Sequence, residues 1–261
     1  MTIPSEPRTP RLYHARSGPA FSVLAAVGVV AAALASFLVA AGVVVGAGGS
    51  AVVAVIVAEL SFVVVAVAGL SMQRLPIAAL GFARPDLRYI GAAILIGCSA
   101  WYVNLRLIEL LPLPEGGVQT LQDIVDGPSL VVAVFALAVL PAVCEELIFR
   151  GILARSLATR YGPVAGVAMS ALVFAFYHLS VIQLIPTFTL GLLAGALTVR
   201  AHSVIPAMTA HMINNAIAIL VSRDVVPGST AWIDAHRTPT LVIAGALTAS
   251  GIAILIGRPR Q

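Results

Sequence analysis

Two adjacent carboxylates, Glu145 and Glu146, follow an apolar run that extends from Leu130 to Val143. A charged side chain near the middle of a lipid-spanning helix costs roughly 2.5 kcal/mol or more, so acids in that setting mark a partner or a task. Arg150 lies four residues after Glu146, with the acid on the N-terminal side, the favourable order for a pair along one helix face. Consecutive helical residues point roughly 100° apart. Glu146 is therefore assigned to Arg150 as a neutralised structural unit, and Glu145 is the candidate general base in a low-dielectric pocket. Later apolar runs carry His178, four residues after Phe174, and His211 with Asn215, four apart on one helix face. A carboxylate, two imidazoles and an amide can activate a water molecule and hold the oxyanion that forms when it adds to a carbonyl. The same set could hold zinc through Glu145, His178 and His211. No cofactor is favoured, and Zn2+ remains open.

The elements that must position these groups are long apolar helices. The spacing predicts eight spans at roughly 20–46, 50–70, 88–111, 129–149, 163–184, 186–200, 204–221 and 239–257. All fifteen basic residues are arginine, and they test the count. With the N-terminus in the cytoplasm, inner segments hold Arg8, Arg11, Arg16, Arg74, Arg84, Arg88, Arg150, Arg155, Arg160, Arg200, Arg258 and Arg260. Outer loops hold Arg223 and Arg237, and Arg106 falls within a span beside Glu109. The bias toward one side supports eight helices with both ends cytoplasmic. Small residues four apart, at Gly42 and Gly46, Gly162 and Gly166, and Gly191 and Gly195, are expected at close helix contacts.

Composition points the same way. The chain of 261 residues is 60% hydrophobic and 10% charged, far from the one-quarter charged content usual in soluble domains. Continuous rather than alternating apolar runs favour an all-α polytopic membrane bundle over a barrel. The arginines serve topology, so no nucleic-acid partner is expected, and the partners are membrane lipids and a membrane-bound protein or peptide. The run from 20 to 46 exceeds a signal-peptide core, so no cleavable leader is expected. Cys98 and Cys144 show neither metal spacing nor a disulfide framework. Arginine without lysine, with abundant Ala, Val and Gly, suggests a GC-rich bacterial genome and hence the cell (cytoplasmic) membrane.

The residues resemble a known family. No H-E-x-x-H helix, G-x-S-G loop or G-x-G-D motif is present. Three other motifs occur in order: E-E-x-x-x-R at Glu145, Glu146 and Arg150; F-x-x-x-H at Phe174 and His178; and H-x-x-x-N at His211 and Asn215. Together they are similar to those of the CPBP family, the C-a-a-X proteases and bacteriocin-processing enzymes also called Abi proteins. The resemblance covers about Ser129 to Ser222. It implies an intramembrane endopeptidase in which Glu145 and His178 activate water while His211 and Asn215 stabilise the oxyanion, with metal-dependent and metal-free mechanisms both argued for the family. The expected organisation is a tail at 1–19, a three-helix region at 20–128, the CPBP-like core at 129–222, and an outer loop, last helix and short tail at 223–261.

Each motif also has a bland reading: a charge cluster at a helix end, an interfacial histidine, and interhelical hydrogen-bonding glue. Their joint occurrence favours one buried centre. A non-proteolytic scaffold or immunity protein of the same family is the alternative function, and a small transporter is a third class, although no inverted halves are found. His14, His202 and His236 are expected in solvent. Glu59 is a lone acid within the second span, read as a hydrogen-bonded packing group without a visible partner.

One geometric difficulty follows. Span four ending near residue 149 puts Glu145 at the inner side, while His211 falls about 10 Å from that side and His178 nearer the middle or outer half. Tilt, a kink at Pro141, or a fifth span that begins beyond the bilayer is expected to bring them together.

Overall fold

The computed structural model describes residues 18–111 and 122–257. It contains helices α1 (Val23–Gly46), α2 (Ala51–Gln73), α3 (Leu87–Ile108), α4 (Leu130–Tyr161), α5 (Pro163–Tyr177), α6 (Val181–Ala201), α7 (Ile205–Ser222), α8 (Ser229–Ala235) and α9 (Arg237–Ile256), with a 3-10 turn at Ile77–Leu80. All except α5 and α8 are long and apolar enough to cross a membrane, seven among the described residues, so the chain is a multi-pass helical membrane protein. The eight expected spans each find a helix. The fifth, α5, has only 15 residues and falls short of the spanning length. The N-terminal arginines and His14, the segment 112–121 of the outer loop, and Arg258 and Arg260 lie outside the described residues.

Three boundaries differ from expectation. Helix α4 does not stop near residue 149 but runs 32 residues to Tyr161. Arg150 and Arg155 therefore do not lie in an inner loop. Both are 1% exposed inside the bundle. Arg150 is neutralised by Glu146, and Arg155 donates to the carbonyls of Ala79 and Pro19. Charges whose partners lie within the protein do not terminate a helix, and the next breaker is Gly162, at φ 89°. The fifth and sixth helices divide at residues 178–180 rather than at Pro186. Leu179 adopts φ 50°, and the Ser180 hydroxyl accepts from the Gln183 N–H at 3.4 Å. Pro186 lies inside α6. The third difference is α8, which forms within the expected outer loop.

Helix α4 is the central element. Its apolar window is 61% buried, against 17–44% for the other long helices. Contacts at the two ends of the bundle follow the alternation of the chain. At one end the Ser203 hydroxyl donates to Ala83 O at 2.6 Å, and Arg200 Nε donates to Leu255 O at 2.7 Å. At the other, Arg223 donates to Pro128 O at 2.9 Å, joining the end of α7 to the start of α4. Of the small-residue pairs, Gly166, Gly191 and Gly195 meet Ala158, Ala171 and Val167 of neighbouring helices, whereas Gly42 and Gly46 face open space. The latter pair does not mark a helix contact.

Candidate active site

The α4–α5 hairpin sets the depth of the site. Glu145 lies 17 residues before the turn at Gly162, and His178 lies 16 residues after it. At 1.5 Å per residue both stand about 25 Å from the turn. The two arms are held in register where Gly166 packs against the Ala158 backbone. The start of α7 is fixed separately, as Val204 N donates to Gly81 O at 2.9 Å and Gly81 packs on the Arg155 guanidinium. His211 is then seven residues along α7 from that level, and Glu145 is ten residues along α4, a difference of about 5 Å that side chains span. The extended α4, with α5 starting at its far end, removes the depth mismatch. Pro141 sits inside this continuous helix, between wide π-helical turns at Phe135–Val139 and Leu147–Ala154.

Glu145, His178 and His211 meet in one buried cluster. His178 Nε2 lies 3.8 Å from Glu145 Oε1, and His211 Nε2 lies 3.9 Å from Glu145 Oε2. Each imidazole is anchored by its other nitrogen. His178 Nδ1 donates to Phe174 O at 2.9 Å; a carbonyl only accepts, so Nδ1 bears the proton and Nε2 faces Glu145 as a lone pair. His211 Nδ1 donates to Glu146 Oε1 at 2.9 Å. That oxygen is also 3.0 Å from Arg150 Nη1, as the four-residue spacing predicts. Glu146 is thus more than a counter-ion for Arg150, because it also orients His211. Arg150 meets Glu146 at ion-pair distance without hydrogen-bond geometry, and its guanidinium stacks 4.1 Å above the Phe174 ring.

Phe174 serves as a scaffold for the cluster. Its carbonyl holds His178, and its ring stands edge-on to His178 at 4.7 Å, to Phe149 at 4.9 Å and to His211 at 6.3 Å. Tyr177, not singled out by its sequence setting, closes this aromatic wall against Phe149 at 5.0 Å and Phe62 at 5.7 Å, with its hydroxyl buried. Its position next to His178 was the available signal.

Asn215 shares a face of α7 with His211, but its amide takes up a different contact. Its Nδ2 donates to Leu137 O at 3.0 Å, and its Oδ1 accepts from Asn214 at 3.1 Å. Leu137 is four residues before Pro141, whose ring nitrogen has no proton to donate to that carbonyl. Asn215 therefore satisfies α4 where its proline interrupts the ladder. Glu59 of α2 does have a partner, because its carboxyl lies within hydrogen-bonding reach of Glu145. Arg106 pairs with Glu109 at 2.5 Å, as its spacing suggests.

Zinc requires nitrogen ligands converging at about 2.0–2.1 Å on one point. Here the two imidazoles approach opposite oxygens of Glu145, and among the described residues no three His, Cys, Asp or Glu side chains group as metal ligands. The set as it stands does not fit a zinc site.

Residues 127–217 match the family model described as type II CAAX prenyl endopeptidase Rce1-like. The matched segment contains all three motifs and agrees with the CPBP resemblance. No curated protein and no solved structure matches the chain.

Proposed function

We propose that this chain, whose residues 127–217 match the CAAX prenyl endopeptidase family, hydrolyses a peptide bond of a membrane-anchored or lipidated protein with water activated by Glu145. The observation that carries this reading is the flanking of both Glu145 oxygens by imidazole Nε2 atoms at 3.8 and 3.9 Å, with each ring anchored through Nδ1. Polar groups at such separations are commonly bridged by water. In this reading a water held between Glu145 and His178 loses a proton to Glu145 as its oxygen adds to the scissile carbonyl. His211, in the imidazolium form with its Nδ1–H held by Glu146, donates from Nε2 to the developing oxyanion. The second amide N–H of Asn215, the one not given to Leu137, supplies a further donor. When the intermediate collapses, the C–N bond breaks and the proton on Glu145 passes to the leaving amine. The bacterial cytoplasmic membrane is the proposed location.

The test uses the full chain reconstituted in liposomes with two probes, a farnesylated C-a-a-X peptide and an unprenylated peptide on a membrane anchor. Cleavage of the first alone assigns a prenyl-protein substrate; cleavage of both assigns membrane-anchored chains in general. Glu145→Gln should lose cleavage by about 10²-fold or more with an unchanged melting temperature. Wild-type cleavage by Glu145→Gln would overturn the reading, and a retained cellular phenotype in that variant would favour a scaffold or immunity role.

A further inference from the structure

Glu59 lies on α2, outside residues 127–217, and its side chain is 3% exposed. It belongs to the buried face of that helix, with Ala58, Phe62 and Ala66. This face packs against the Leu140–Glu146 stretch of α4, and Phe62 reaches the Tyr177 ring of α5 at 5.7 Å. An acid among Ala and Phe side chains carries a desolvation cost that only a specific contact offsets. The cationic side chain of the site, Arg150, is already engaged by Glu146 and Phe174. Among the described residues no donor reaches Glu59 Oε2, and the partner of the carboxyl is Glu145 itself.

Two carboxyl groups in contact repel unless one proton lies between them, and the protonated group then donates to the other. Glu145 is the member that His211 Nε2 approaches, and the imidazolium form of that ring favours its ionised state, which makes Glu145 the acceptor and Glu59 the donor. We infer that Glu59 is a positioning residue for Glu145: its carboxylic acid donates a hydrogen bond that holds the Glu145 carboxylate between His178 and His211. The inference rests on the reading of Glu145 as the base. It extends the site to an N-terminal helix that the three motifs do not cover, and it makes α2 part of the working unit.

Two variants of the full chain separate positioning from packing. Glu59→Leu keeps an apolar, space-filling side chain and removes the donor; Glu59→Gln keeps a donor that cannot ionise. On whichever peptide probe the wild type cleaves, Glu59→Leu should lower kcat on the order of 10²-fold with KM within about twofold. Glu59→Gln should stay within about tenfold of wild type. Wild-type kcat in Glu59→Leu, or equal losses in the two variants, would overturn the inference. Infrared spectroscopy of the reconstituted protein reads the contact without catalysis. A buried protonated-carboxyl band should be present in the wild type, absent in Glu59→Gln and shifted in Glu145→Gln. If the wild type cleaves neither probe, the protease reading falls, and this band still decides the contact: its persistence in Glu59→Gln, or an unshifted band in Glu145→Gln, would overturn it.

Discussion

Glu146 Oε1 joins His211 to Arg150: it accepts from His211 Nδ1 at 2.9 Å and lies 3.0 Å from the guanidinium. One carboxylate thus links α7 to α4 and compensates a buried cation. Glu146→Ala leaves Arg150 unpaired in the interior and should destabilise the protein by about 3–5 kcal/mol. The double variant Glu146→Leu with Arg150→Met removes both charges and should recover most of that loss in thermal melts, yet stay inactive because His211 has lost its anchor. A double variant no more stable than Glu146→Ala would show that the pair is not the source of the cost.

Asn215 and Pro141 form a second coupled pair, through the carbonyl of Leu137. Asn215→Ala should lose about 1 kcal/mol for the missing hydrogen bond. Pro141→Ala restores a backbone N–H four residues after Leu137. In the double variant the two substitutions should be non-additive, with the stability cost of Asn215→Ala largely removed. Strict additivity across this cycle would mean that the amide does not serve the interrupted ladder.

Cleavage should persist after exhaustive treatment with a chelator, because the two imidazoles face different oxygens of Glu145 rather than one shared point. Elemental analysis of the purified protein, run beside the activity assay, checks this. Stoichiometric zinc that is lost together with activity, and restored with it, would reverse the expectation.

Asp224 in the turn before α8 accepts from the Thr230 backbone N–H, then the Gly228 N–H and the Ser229 hydroxyl. These donors hold its carboxyl down at about 2, from an ordinary 3.8. A depressed carboxyl contributes its full stabilisation above the unfolded value and loses it as pH falls through the folded one. The start of α8 should therefore be unchanged above about pH 4 and loosen as pH approaches 2. Amide chemical shifts of Gly228 and Thr230 should titrate with a midpoint near 2, and Asp224→Asn should abolish that titration.

The four-residue steps from Glu146 to Arg150, Phe174 to His178 and His211 to Asn215 place each pair on one helix face, and the first of these is an ion pair in the structure. The bond between Glu146 and His211 could not be read, since it depends on how α4 crosses α7. The length of α4 was hidden for a related reason. Arg150 and Arg155 look like charges that end a span, and only the folded protein reveals the carboxylate and carbonyls that accommodate them. Glu59 has no partner within helical reach on its own helix, so its role depends on which helix α2 lies against. The π-helical turns around Pro141 leave no periodic signature of their own.

The hairpin turned by Gly162 behaves as a matched pair of rulers. A single-residue deletion in the regular α-helical part, between Arg155 and Gly162, would rotate the carboxylate by roughly 100° and draw it about 1.5 Å out of step with the imidazole on the facing arm. The Leu147–Ala154 stretch already takes the wider turn of a π-helix. It is the natural place for a length change to be absorbed, so divergence in this protein should be tolerated there sooner than in α5, whose arm has no such slack.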